Sequence, residues 1–257
     1  MIERLQALKI KKQYNSRFAL SCSIDIKNGP LYTIVGPNGS GKSTLLRILS
    51  LIEPVDSGKV IYHHNGVSMS NPHDNTEIRR KVVLVPSRAA LFNETVFNNA
   101  AYGLRLRGIG RDIYKDRVME ALNEVGLAEK ENINTRELSS GEAQRLALAR
   151  SLVIDPDILM LDEPTASLDP DNTAIIEKII KDKKEVSQKI MIMVTHKLYQ
   201  AKSLSDIIIF MYKGEIIEVT ASGAFFEKPS TDLAKKFFNE QGEMHCSGSC
   251  RTSTRYW

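Results

Sequence analysis

Long hydrophobic runs are missing from this 257-residue chain. The longest apolar stretch, IIIFMY at 207–212, has only the length of a strand. Spanning a bilayer takes ~20 apolar residues, so any membrane role requires another chain to supply the spanning helices. The N-terminal MIERLQALKIKK places charged and polar residues where a secretion signal needs an apolar stretch, which predicts no export. Cysteine is scarce: 3 residues do not make a disulfide framework, and a reducing cytoplasm fits that usage. Charge of one sign is lacking too. The 35 basic residues exceed the 31 acidic ones by only 4, spread along the chain. That is a solvated surface, not the concentrated basic patch of a nucleic-acid binder, and no nucleic-acid partner is expected.

What is present is an ordinary globular composition, 42% hydrophobic and 26% charged, with enough length for a sizeable core. LQALKI and FALSCSIDI alternate and predict antiparallel strands near the N-terminus. LYTIV (31–35) is a short apolar run that stops at a glycine-rich turn, and STLLRILSLI after Lys42 has helical spacing. KVIYHHNG (59–66) predicts a strand entering an Asn-Gly turn, and VVLV (82–85) another strand. After Phe92 the segments ETVFNNAAYGLRLRG, RDIYKDRVMEALNEVGL and GEAQRLALARSLVI all read as helices, a block at about 93–154 set into an α/β chain. ILML (158–161), KIMIMV (189–194) and DIIIF (206–210) return to strand length. Between the first two, Ile175, Ile176, Ile179 and Ile180 share one helical face. Strand and helix in alternation imply a parallel sheet. The tail from 241 to 257 is polar and is expected to be poorly ordered. Its His245, Cys246 and Cys250 are one ligand short of the usual structural zinc site, and an unstructured tail is the favoured reading.

GPNGSGKST (36–44) satisfies the phosphate-loop pattern between a strand and a helix, the context that pattern requires. Gly36, Gly39 and Gly41 allow the backbone to curl, with Pro37, Asn38 and Ser40 between them, so that successive N–H groups form an anion nest. The helix N-terminus at Lys42, Ser43 and Thr44 adds partial positive charge. Lys42 supplies a full charge for terminal phosphates and Ser43 a hydroxyl for Mg²⁺. A glycine-rich turn beside a chance lysine is the alternative, and the flanking elements disfavour it. ILMLDEP (158–164) ends a buried strand in two carboxylates. Asp162 is placed to hold Mg²⁺, and Glu163 to orient an attacking water. Alone, such a pair is more often a solvated strand end. LSSGEAQRLALAR (138–150) begins a helix with Ser139 and Glu142 at capping-box spacing, and such an exposed N-terminus is also an anion site.

These segments, followed by SLD (167–169) and MVTH (193–196), resemble in order and spacing the ATP-binding-cassette ATPases, over residues 1–240 or so. The resemblance implies an α/β fold: a P-loop NTPase core with a mainly parallel sheet (1–92 and 155–240), an N-terminal antiparallel β subdomain and an inserted α-helical subdomain. It implies ATP with Mg²⁺, and a homodimer in which the phosphate loop of one copy faces the LSSGE helix of the other. By matching position, Ser139 and Gly141 would contact the γ-phosphate across the interface. Asp169 would link the two sites, His196 would hold the γ-phosphate, and Tyr14 would stack on adenine; an ordinary exposed strand tyrosine is the other reading of Tyr14. The loop VPSRAALF carries Ser87 where the family has a glutamine that touches Mg²⁺ and water and whose loop moves with the membrane subunit. A serine hydroxyl is too short for that reach, which implies slower or less tightly coupled hydrolysis. Ser140 and Glu142 also depart from the family's glycine and glutamine, and Glu142 brings negative charge nearer phosphate.

NNAAYGLRLRGIG, LSSGEAQRLALAR and FFNEQGEMH are similar to segments of the tungstate/molybdate-type oxyanion importers, and the lack of a long C-terminal regulatory domain agrees with the tungstate-type subset. The resemblance implies an importer ATPase peripheral on the cytoplasmic face of the membrane, working with a permease and a solute-binding protein. A soluble cassette ATPase without transport, and a nucleotide switch that barely hydrolyses, are the other readings.

Overall fold

The computed structural model describes residues 1–15, 18–186 and 188–246. Strands β1 (Ile2–Asn15) and β2 (Phe18–Lys27) open the chain, followed by β3 (Leu31–Val35) and helix α1 (Lys42–Leu49). Next come β4 (Ser57–His64), β5 (Val67–Ser70), the short α2 (Thr76–Arg79) and β6 (Val82–Val85). Three longer helices follow: α3 (Val96–Leu106), α4 (Arg111–Glu124) and α5 (Ser140–Leu152). The chain then alternates through β7 (Ile158–Asp162), α6 (Pro170–Val186), β8 (Ile190–Val194), α7 (Leu198–Leu204) and β9 (Ile207–Tyr212). It closes with β10 (Glu215–Ala221), α8 (Ser222–Glu227) and α9 (Asp232–Cys246).

The strands form two sheets. The antiparallel one runs β2-β1-β4-β5, and the mainly parallel one β10-β9-β3-β8-β7-β6. The difference is written in the side chains. In β2, Leu20, Cys22, Ile24 and Ile26 are buried while the intervening residues face solvent, the signature of a sheet wetted on one side. In β3 and β8 every residue is buried, because both faces of a parallel sheet are covered. Alternate residues of β7 and β8 serve opposite layers. Met160 and Ile192 pack with α1 and the antiparallel sheet, whereas Leu159, Leu161, Met191 and Met193 pack with α3–α6. Cys22, inside the first layer, has its thiol pushed up to about 12 by burial, and is inert.

The predicted Asn-Gly turn joins β4 to β5, with Asn65 and Gly66 both at positive φ (49° and 77°). Two features differ from the sequence reading. β10 runs antiparallel on the edge of the parallel sheet; a two-residue turn, Lys213-Gly214, returns the chain directly, so no crossover helix intervenes. Helix α9 also continues past residue 240 to Cys246, six residues into the segment expected to lack structure. The side chains of His245 and Cys246, and Cys250 as a whole, lie outside the described residues.

Candidate functional site

The tips of β3, β7 and β8 end side by side, and their loops build one site. At the tip of β3 the backbone turns at Gly36, where φ is 150° and a Cβ would sit 2.1 Å from the Met211 carbonyl oxygen on β9. No other residue fits that approach. Gly41, at φ 101°, caps α1. The Leu45 N–H is the first to bond back into the helix, to Gly41 O at 2.9 Å, so the amides of Lys42, Ser43 and Thr44 precede the first intrahelical bond and remain for an anion. Lys42 is only 6% exposed. Its ammonium donates to the carbonyls of Gly36 (2.8 Å) and Pro37 (2.9 Å). Burial lowers its pKa, opposed by the charges of Glu163 and Asp162. The cation is thus held among its own loop's carbonyls, poised for a stronger anionic partner.

Asp162 ends β7, and its Oδ1 accepts a hydrogen bond from Ser43 Oγ at 3.0 Å. Burial raises its pKa, the Ser43 bond opposes this, and neighbouring Glu163 adds to the rise. A half-buried carboxylate and a hydroxyl converging on one point form an all-oxygen pair that suits a hard cation such as Mg²⁺. Glu163 occupies the left-handed region at φ 47°, a conformation rare outside glycine and asparagine. Its N–H bonds Val194 O at 2.9 Å, and its Oε2 lies 3.1 Å from His196 Nδ1. The strained turn aims the Glu163 side chain back over the phosphate loop. Thr195, the residue before His196, is buried, and its N–H bonds Ile34 O. The histidine therefore projects from a fixed base.

A cleft of about 410 Å³ opens over the loop, walled by Tyr14, Asn38, Gly39, Lys42, Thr44, Arg47 and Glu163 among others. Its size is that of a small-molecule site. Tyr14 stands 46% exposed at its rim, with its hydroxyl donating to Glu53. Glu53 also pairs with Arg47 at 3.4 Å, tying the rim to α1. Arg47 was not among the residues expected; it lies four residues after Ser43, one helical turn away on the same face, and that spacing could have indicated it.

Ser139, Gly141 and Asp169 lie elsewhere. Ser139 caps α5 in the predicted capping box: its Oγ accepts from the Glu142 N–H at 3.3 Å and its N–H donates to Glu142 Oε2 at 2.9 Å. Lys130 pairs with Glu142 at 2.5 Å and, with the cap, holds that carboxyl below its usual range. The negative charge of Glu142 is therefore already matched within the chain. Asp169 caps α6, accepting from the Asn172 N–H and side-chain amide. Ser87 is exposed in the loop after β6 and is not among the residues that line the cleft. The carbonyl of neighbouring Pro86 accepts from Gln144 Nε2 of α5 at 3.0 Å, a link the sequence did not announce.

Residues 20–166 match the family model described as ABC transporter. The chain is 38% identical over 217 residues to the tungstate uptake system ATP-binding protein TupC of Peptoclostridium acidaminophilum, covering 84% of this chain and 97% of that one. It is 36% identical over 233 residues to the phosphate import ATP-binding protein PstB 2 of Natronomonas pharaonis, covering 87% and 81%. Among solved structures it is similar to a dimeric bacterial ABC transporter cassette, at 27% identity and a TM-score of 0.75, covering 85% of this chain and 98% of that one. The same cassette is also known as a dimer bound to ADP and Pi, at the same identity and TM-score. A phosphate loop backed by two strand-tip carboxylates, matched by relatives along nearly its whole length, places this chain in the ABC transporter family, as an ATP-binding-cassette ATPase of the import type.

Proposed function

We propose that this chain is the ATP-hydrolysing subunit of an importer for a tetrahedral oxyanion, tungstate or a close analogue, and that it works as a dimer at the cytoplasmic face of a membrane with a permease and a solute-binding protein. The observation that carries the catalytic part is the meeting of Lys42, Ser43 and Glu163 in one cleft, with Asp162 bonded to Ser43 and His196 to Glu163 behind them. Lys42 exchanges its loop carbonyls for the terminal phosphates, where a charge-assisted bond is stronger. Ser43 and Asp162 would hold Mg²⁺, which neutralises phosphate charge when bound. Glu163 orients and polarises the attacking water, and His196 keeps the Glu163 carboxylate in place. Tyr14 offers its ring to adenine.

Ser139, Gly141 and Asp169, outside the cleft, would cap the nucleotide of a second copy. The similarity to a cassette solved as a dimer supports that reading. No helix among the described residues is long and apolar enough to cross a membrane. A largely apolar groove of about 390 Å³ beside the Ser87 loop supports permease docking. Val85, Pro86, Phe92, Tyr102 and Arg150 help to line it, with the Phe92 and Tyr102 rings tilted by 34° and their centroids 4.3 Å apart.

The oxyanion assignment rests on the chemistry in the relatives' names: tungstate, phosphate, and sulfate/thiosulfate at 33% identity in Pseudomonas aeruginosa. Methionine import ATP-binding proteins match at 32%, so the test must be direct. With the complete transporter in proteoliposomes, ATP hydrolysis should rise on adding tungstate with the binding protein and stay flat with methionine. The reverse pattern would discard the oxyanion reading.

A further inference from the structure

Asn172, near the start of α6, serves two segments at once. A Cβ built on Gly141 would lie 2.4 Å from Asn172 Cγ and 2.5 Å from its Nδ2, distances that real side chains do not tolerate. Asn172 cannot swing aside freely. Its Nδ2 donates to Asp169 Oδ2 at 2.6 Å, and its N–H to Asp169 Oδ1 at 2.9 Å. The remaining amide atom, Oδ1, is buried with no donor among the described residues. Gly141 is not among the residues at positive φ, so the backbone makes no demand for glycine there. Within a helix alanine is the better former. Within the chain, then, it is Asn172 that a side chain at position 141 would meet.

We propose that Asn172 is a positioning residue that locks Asp169 and the first turn of α5 into one rigid unit, so that Ser139, Gly141 and Asp169 meet a second copy's nucleotide as a preformed surface. The functional half of this statement rests on the two-copy reading above; the brace itself does not. Thermal unfolding of four nucleotide-free proteins tests the brace: wild type, Gly141→Ala, Asn172→Ala and the double variant. Gly141→Ala should lower Tm by about 5 °C when Asn172 is present, and leave it unchanged or raise it when residue 172 is alanine. Equal losses in both backgrounds would overturn the brace.

The second arm places Asn172→Ala in a Glu163→Gln chain and measures Mg-ATP affinity and ATP-driven self-association separately. Nucleotide affinity should stay within about twofold while association weakens about tenfold. In the hydrolysing protein kcat should fall with KM unchanged. Unchanged association would overturn the positioning role. If the Glu163→Gln chain itself never associates, the two-copy reading fails, and the unfolding cycle alone decides the brace.

Discussion

The phosphate-loop cleft and the N-terminal end of α5 solve opposite electrostatic problems. Around the phosphate loop, Lys42 and Asp162 are buried enough that desolvation opposes their charged forms. Near the other end, Glu142 and Asp169 have their carboxyls held low by hydrogen bonds and, for Glu142, an ion pair. The cleft stores a cost that a charged ligand relieves. The Glu142 and Asp169 carboxylates already have their partners within the chain. On the proposed reading one is completed by a ligand and the other presented to one, which is the physical reason two copies would pair.

That contrast can be broken most sharply at Glu163. Glu163→Gln keeps the shape and the turn held by Val194 O but removes the carboxylate proposed to polarise water. Hydrolysis should fall by about 10²–10⁴-fold while Mg-ATP affinity is retained, measured by single-turnover phosphate release and by titration. Next in size is Asp162→Asn. Burial raises the folded-state pKa of Asp162, so the folded chain holds this proton to higher pH than the unfolded chain does. The ionised group therefore costs stability once pH exceeds the ordinary carboxylate range. The nucleotide-free variant should melt about 2–4 °C higher at neutral pH, with the gain shrinking as pH falls toward that range, and its Mg²⁺-dependent hydrolysis should be lost. A variant that melts lower would contradict the stored cost.

Ser87→Gln tests the altered loop: basal hydrolysis should rise a few-fold, and its stimulation by the permease should strengthen. The smallest effect belongs to Lys130→Ala. Its partner Glu142 keeps the capping box, and the partly exposed pair contributes about 0.5 kcal/mol, readable only as a slight shift in a denaturant midpoint.

Much of this was legible in the chain. LYTIV and KIMIMV, mostly apolar runs of strand length, announced the strands that formed, and the Ser139–Glu142 spacing announced the cap. Gly36 was singled out for backbone freedom, but its nearest constraint, the Met211 carbonyl, lies 175 residues away and no local pattern carries it. β10 escaped because EIIEVTA mixes faces and charges at a sheet edge, where alternation is weak. Gln144 and Asn172 escaped for a different reason. A lone amide has no periodic signal, and its role appears only when α5 is folded against the β6 loop and α6.

The most direct test of the account is sedimentation of the Glu163→Gln protein with and without saturating Mg-ATP. A monomer is expected without nucleotide and a dimer with it, reversed when ADP replaces ATP. A protein that binds Mg-ATP at the cleft yet sediments as a monomer at every concentration tried would contradict it.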